Sequence, residues 1–141
     1  MSVSLRKVKQ TDWDYILSLR NNEEFRSFFY EQHTIKKKEH YTYLQKQKTN
    51  PNFFNWIICY NDKRVGYLRV LDNDISIMIE KKYHGKNIGT KTIKLLEEEA
   101  KKSGLTTLVG KVMIHNKKSK QIFVKNKYKL KMWWFEKDLT K

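Results

Sequence analysis

A single cysteine, Cys59, removes any internal disulfide framework from the options open to this 141-residue chain. It stands in the apolar run Trp56-Ile57-Ile58-Cys59-Tyr60, where a buried, inert thiol is expected rather than a nucleophile. One proline and five glycines are too few for a collagen-like, low-complexity or linker-rich chain. Long apolar runs are missing too: nothing approaches the roughly 18 residues of a membrane-spanning helix. Met1 to Arg6 lacks the apolar centre of a secretory signal. A cytoplasmic protein without a membrane partner is therefore expected. Acids are scarce as well, 15 Asp and Glu against 30 Lys and Arg, for a formal charge of +15. That excess favours polyanionic partners such as nucleic acid or phosphate-rich small molecules, although a lysine-biased proteome gives the same balance.

What is present is enough for a core. The chain is 39% hydrophobic, with seven Phe, four Trp and eight Tyr, so a single domain over residues 1–141 is expected. Val3 to Val8 suits a first strand. Thr11 is positioned as an N-cap, with Asp12 and Asp14 in the first turn of a helix that buries Trp13, Ile16 and Leu17. A second helix is expected from Thr34 to about Lys48, burying Ile35, Tyr43 and Leu44 and closed by Asn50-Pro51-Asn52. Phe53 to Tyr60, a turn over Asn61 to Arg64, and Val65 to Leu71 form a hairpin. Ile75 to Glu80 alternates isoleucine with Ser, Met and Glu as a further strand does. Lys86 to Ser103 reads as a helix stopped by Gly104, and Leu105 to Ile114 as a strand beyond it. Asn116 caps a helix to about Asn126, and the aromatic-rich Tyr128 to Lys137 is a last strand. Antiparallel strands leading into a strand-helix-strand unit predict an α/β (α+β) fold with a mixed, mostly antiparallel sheet.

The turn His84-Gly85-Lys86-Asn87-Ile88-Gly89-Thr90 joins a strand to a helix start, a place where free N–H groups bind anions. The helix after it carries its charges in reverse. Lys86, Lys91 and Lys94 fill the first half, and Glu97, Glu98 and Glu99 come later, against the preference of the helix dipole. An external anion at the N-terminus would account for that order. A P-loop would need Gly-Lys-Ser/Thr, and a dinucleotide fingerprint three glycines; neither is present.

Taken in order, these pieces resemble the GNAT superfamily of N-acetyltransferases over nearly the whole chain. The family's Arg/Gln-x-x-Gly-x-Gly/Ala loop stands here as His84 to Gly89, with Asn87 in place of the first glycine. A second signature appears as Asn116-Lys117-Lys118-Ser119, Phe123 and Lys127-Tyr128. The resemblance implies acetyl-CoA as the acetyl donor and no metal. Its pantetheine arm would run along a split fourth strand at Ile77, Met78 and Ile79. Its pyrophosphate would lie on His84, Gly85, Lys86, Asn87, Ile88, Gly89 and Thr90, with Asn116, Ser119 and Phe123 completing the site. Phe123 falls where the family often has a tyrosine acid, so Tyr128 is the expected proton donor and Glu80 the expected base.

Leu19 to Arg26 and Lys38 to Tyr41 resemble the branch of amino-sugar acetyltransferases acting on sugar nucleotides, including those of the pseudaminic acid pathway, and of ribosomal-protein N-terminal acetyltransferases. That resemblance implies a small-molecule amine acceptor held by Arg20, Asn21, Arg26 and His40, and leaves homodimerisation open. The sugar-nucleotide acceptor suits the basic chain, with a ribosomal-protein or peptide N-terminus as the alternative. A non-catalytic nucleic-acid-binding domain, stacking bases on Tyr128, Trp133, Trp134 and Phe135, is the remaining one. Alternation of those aromatics favours core packing instead.

Overall fold

The computed structural model describes residues 2–140. Its sheet contains β1 (Val3–Lys7), β2 (Phe53–Tyr60), β3 (Lys63–Leu71), β4 (Asp74–Ile79) and β5 (Val109–Gly110), in that spatial order. The first four strands pair antiparallel, and β5 joins β4 in parallel after a helical crossover, so the sheet is mixed and mostly antiparallel as expected. Helices cover both faces. On one side lie α1 (Trp13–Asn21), the short α2 (Glu23–Arg26) and α3 (Lys37–Gln47); on the other lie α4 (Ile88–Lys102) and α5 (Lys117–Lys125).

Period-2 alternation sorts the strand residues between two cores. Leu68, Val70, Ile75 and Ile79 pack with Ile88, Ile93 and Leu96 of α4. Ile57, Tyr67 and Met78 pack with Trp13, Ile16 and Leu19 of α1 and Leu44 of α3. The register slips at Ile58/Cys59, where Val65 is the extra residue, and Gly66 beside it admits the β4 backbone: a Cβ there would lie 2.2 Å from the Met78 carbonyl oxygen. Tight turns at Asn61-Asp62 and Asp72-Asn73, all four residues left-handed, return β2 to β3 and β3 to β4. β3 therefore begins at Lys63, inside the expected turn. Gly104 ends α4, with Leu105 N–H reaching back to the Ala100 carbonyl at 2.9 Å. Cys59 is buried, and no helix among the described residues is long and apolar enough to cross a membrane.

Several expectations fail for identifiable reasons. Thr11 caps nothing: Gln10–Asp12 forms a 3-10 turn and α1 starts at Trp13. Leu19 rather than Leu17 reaches the core, α3 starts three residues late, and Ile35 lies outside it. Tyr43 is only half-buried, whereas His40 is 3% exposed. The strand expected over residues 105–114 shrinks to Val109–Gly110. The last strand expected over residues 128–137 does not form, and Trp133, Trp134 and Phe135 are 73%, 69% and 90% exposed. Alternation alone cannot make a strand where no neighbouring edge is paired to it.

The carboxylate of Asp12, 2% exposed, ties the start of α1 to two strands. It accepts from both Arg6 Nη atoms at 2.8 Å, from Lys9 N–H at 2.8 Å and from Arg64 Nη1 at 3.1 Å. These donors, Arg6 foremost, hold its carboxyl well below the usual carboxylate range. His40 is opposite in kind: burial pushes its imidazole below the ordinary 6.5, so it is neutral, with Nε2–H donating to the Trp13 carbonyl at 2.9 Å. Both folded-state values lie below their unfolded ones, so both groups lose stability as pH falls. Denaturant titrations should show stability declining in two stages, first below about pH 6.5 as the unfolded chain protonates His40, then below about pH 4 through Asp12. Asp12→Asn should remove the lower stage and cost about 2 kcal/mol at neutral pH, measured by urea unfolding.

Candidate coenzyme and acceptor groove

β4 and β5 pair at only two positions, Asp74 with Val109 and Ile75 with Gly110, and then part. The ring of Phe123 from α5 occupies the space beside Gly110, where a Cβ would approach it to 2.6 Å. The edge of β4 from Ser76 to Ile79 is left facing a groove of about 580 Å³. Residues 83–85 and 87–90 form one wall, and residues 111–113, 115–119 and 121–123 the other. Phe25, Phe28 and Phe29 close its far end, with the His115 ring against Phe28 at 5.1 Å and its Nε2 2.8 Å from the Ser27 carbonyl oxygen.

At the opposite end the N-terminus of α4 is uncapped. Asn87 is left-handed (φ 61°), its side chain makes no cap bond, and the first turn contains no acid. The first main-chain bond into the helix is Lys91 N–H to the Asn87 carbonyl at 3.1 Å, so the N–H groups of Ile88, Gly89 and Thr90 have no intrahelical acceptor. Their partial positive charge, on a helix of 15 residues, suits a bridging diphosphate. Gly85 (φ 80°) allows the chain to turn into this position. Gly89 serves packing as well: a Cβ there would meet Ile122 Cδ1 at 2.4 Å, so its smallness lets α5 close on α4.

His84 does not point an empty ring at the groove. Its Nε2 is 2.7 Å from the Ile79 carbonyl oxygen, which can only accept, so the proton is on Nε2 and Nδ1 faces Lys118 Nζ at 3.3 Å. The side chain thus ties the loop to the end of β4 and positions a lysine beside it. Asn116 caps α5 by accepting from Ser119 N–H at 3.2 Å, and both residues line the groove. Phe123 is buried at its floor.

The two expected acid–base residues part company. The Tyr128 ring packs on Phe123 at 5.1 Å, and its hydroxyl is buried without a hydrogen-bond partner near Glu97 of α4, outside the groove lining. Burial and that carboxylate push its phenol well up, so Tyr128 is a poor donor in a poor position. Glu80 sits one residue beyond the groove-lining strand edge and accepts from Tyr15 Oη at 2.6 Å. The Arg64 guanidinium lies over the Tyr15 ring at 4.2 Å. Burial and Glu80 together hold the Tyr15 phenol protonated.

Of the four expected acceptor residues, three are occupied internally. Asn21 bonds both the N–H and the C=O of Ile35 at 2.8 Å, Arg26 donates to the Asn21 and Gln32 carbonyls, and His40 is spent on Trp13. None of the three lines the groove. Only Arg20 has a guanidinium without a hydrogen-bond acceptor among the described residues, lying over the Phe29 ring at 5.3 Å. Sequence reasoning missed Tyr15, Tyr83 and the Phe25, Phe28, Phe29 wall. The last had a signal, three aromatics at helical spacing beside Arg26; a tyrosine 65 residues from its partner carboxylate had none.

The family described as "Acetyltransferase (GNAT) domain" matches residues 2–129. The chain belongs to this acetyltransferase family. The same architecture recurs in a domain from Methanocaldococcus jannaschii, 25% identical over 89% of this chain and 87% of that one, with a TM-score of 0.79. Spermidine N-acetyltransferase from Vibrio cholerae in complex with CoA and spermine superposes with a TM-score of 0.77, at 17% identity over 87% of this chain and 78% of that one. Aminoglycoside acetyltransferase AAC(6')-Ib in complex with coenzyme A gives 0.73, at 17% identity over 88% and 82%.

In this acetyltransferase, the first turn of α4 forgoes the stabilisation that a cap or an acid would give its dipole. Lys91→Glu, at an exposed position in that turn, should raise the stability of the free enzyme by about 0.3–1 kcal/mol in urea unfolding. The same change should weaken CoA binding about tenfold in calorimetry.

Proposed function

We propose that the enzyme transfers acetyl from acetyl-CoA to the primary amine of an amino sugar carried on a sugar nucleotide. The charge of the groove carries this reading: its lining contains four lysines, Lys111, Lys117, Lys118 and Lys125, against one acid, Glu24, which pairs with Lys81 at 3.9 Å. A cationic acceptor, such as a polyamine or a basic protein N-terminus, would meet like charge there. The aromatic wall of Phe25, Phe28 and Phe29 offers flat apolar surface to a sugar or base ring.

Acetyl-CoA supplies an activated thioester to this groove. The α4 N-terminus and Lys118 hold its diphosphate, and the free edge of β4 between Ser76 and Ile79 aligns its arm and polarises the thioester carbonyl near Met78. Glu80 takes the ammonium proton, directly or through one water, and the hydrogen bond from Tyr15 orients that carboxylate. Tyr83 is the one tyrosine lining the groove, and it protonates the departing thiolate in place of Tyr128.

A nucleic-acid role has one observation in its favour, since Trp133, Trp134 and Phe135 are exposed among Lys129, Lys131 and Lys137. It would accompany acetyl transfer rather than replace it, and would appear as steeply salt-dependent affinity for single-stranded RNA.

Thermal shift with CoA, acetyl-CoA and a panel of UDP- and dTDP-amino sugars, followed by acetylation assays, tests the reading. Coenzyme should raise Tm by several degrees and at least one sugar nucleotide should be acetylated. Acetylation confined to polyamines or peptides would overturn the acceptor assignment. Glu80→Gln should lower kcat about 100-fold and Tyr83→Phe about tenfold or more, each with unchanged CoA affinity.

A further inference from the structure

Beyond the apolar row Ile57, Tyr67 and Met78, the α1/α3 face of the sheet turns polar. Asn55, Arg69 and Ser76 lie side by side on β2, β3 and β4, in register, one row further along. Ser76 and Met78 line the groove, and so does Phe29, whose ring is covered by the Arg20 guanidinium from the last turn of α1. We propose that Arg20 and Arg69 form an anion site at the acceptor end of the groove, one that binds a carboxylate or phosphate carried by the amine substrate.

The donors there are not spent. Arg69 has one ion pair, Nη2 to Asp74 Oδ2 at 3.8 Å, which is too long for a hydrogen bond. Its Nε is buried with no partner, and so is the other oxygen of Asp74. Arg20 has only the face of Phe29, which attracts the cation but accepts none of its N–H groups in line. The hydroxyl of Tyr67 cannot serve as a counter-ion: burial pushes it up to about 12, and it accepts from Asn55 Nδ2 at 3.2 Å. Burial and the charge of Arg69 both weaken the hold of Arg20 on its proton, and the single carboxylate beside Arg69, that of Asp74, stays beyond hydrogen-bond distance. Unpaired half-buried donors are costly to a fold. They become favourable once an oxyanion fills the space, because two guanidinium forks grip planar carboxylates and phosphates with several charge-assisted bonds.

The site rests on the acceptor end proposed above and extends it. It adds Arg69, for which the sequence offers no signal, and it discriminates by charge rather than by ring shape.

Two measurements test it with the full-length enzyme. With CoA at saturation, so that the α4 N-terminus is filled, sulfate at constant ionic strength should raise the Tm of the wild type and leave that of Arg20→Gln unmoved. Equal shifts in both proteins would overturn the proposal. In acetylation assays, Arg20→Gln should raise KM for an anionic amine about 10- to 100-fold and leave KM for the matching neutral amine within about twofold. Equal losses on both would also overturn it. A UDP-amino sugar and an α-amino acid, each set against its uncharged counterpart, separate a phosphate from a carboxylate as the group bound. Should Arg20→Gln fold poorly, Arg20→Lys keeps the charge and should retain part of the sulfate response, whereas a full loss would count against an anion site. Absence of any CoA-induced shift would instead refute the acetyl-CoA reading, and leaves the sulfate comparison in apo protein to judge the two arginines separately.

Discussion

The parting of β4 from β5 after two paired residues is the constraint on which the rest of the molecule turns. A continuous ladder would satisfy the β4 edge with β5 and leave no groove. Phe123 packed against Gly110 occupies the place a continuing strand would need, and Ile122 packed against Gly89 fixes α5 to the start of α4. One helix therefore both holds the strands apart and sets the wall of the opening it creates. Main-chain groups at the β4 edge and at the α4 N-terminus then face the same space, which is what an extended coenzyme with a diphosphate at one end requires.

Electrostatics follow from that geometry. The α4 N-terminus is left without a cap or an acid, Lys118 stands beside it through His84, and Arg20 and Arg69 are left with open donors at the other end. A fold normally neutralises such positions, as Asp12 does for Arg6 and Arg64. Where neutralisation stops, donors are left open to a ligand. The Asp12 cluster is fully bonded, whereas Arg69, on the same face of the sheet, keeps a buried Nε without a partner.

Asn21, Arg26 and His40 make the complementary point. Each has side-chain chemistry suited to a sugar hydroxyl or phosphate, and each is bonded to main-chain groups of the fold, in the case of His40 a buried carbonyl. Asn21 and Arg26 tie the chain on either side of Phe25, Phe28 and Phe29 together, and His40 ties α3 to the start of α1. Tyr15, with no distinguishing sequence context, donates to Glu80 at the end of β4.

The sequence by itself determined the features whose causes are local. Alternating isoleucines specified β4, Asn61-Asp62 and Asp72-Asn73 specified two tight turns, Gly104 stopped α4, and the inverted lysine and glutamate order left the first turn of α4 without an acid. These need only neighbouring residues to be read. Tertiary structure decided everything that depends on who occupies a donor or an edge. It reduced the strand after α4 to two residues, left the Trp133-Trp134-Phe135 segment without a strand to join, moved Tyr128 away from the groove and set Arg20 over Phe29. Such outcomes rest on contacts between residues far apart in the chain, and no spacing or residue type encodes which of two possible partners a buried group will find.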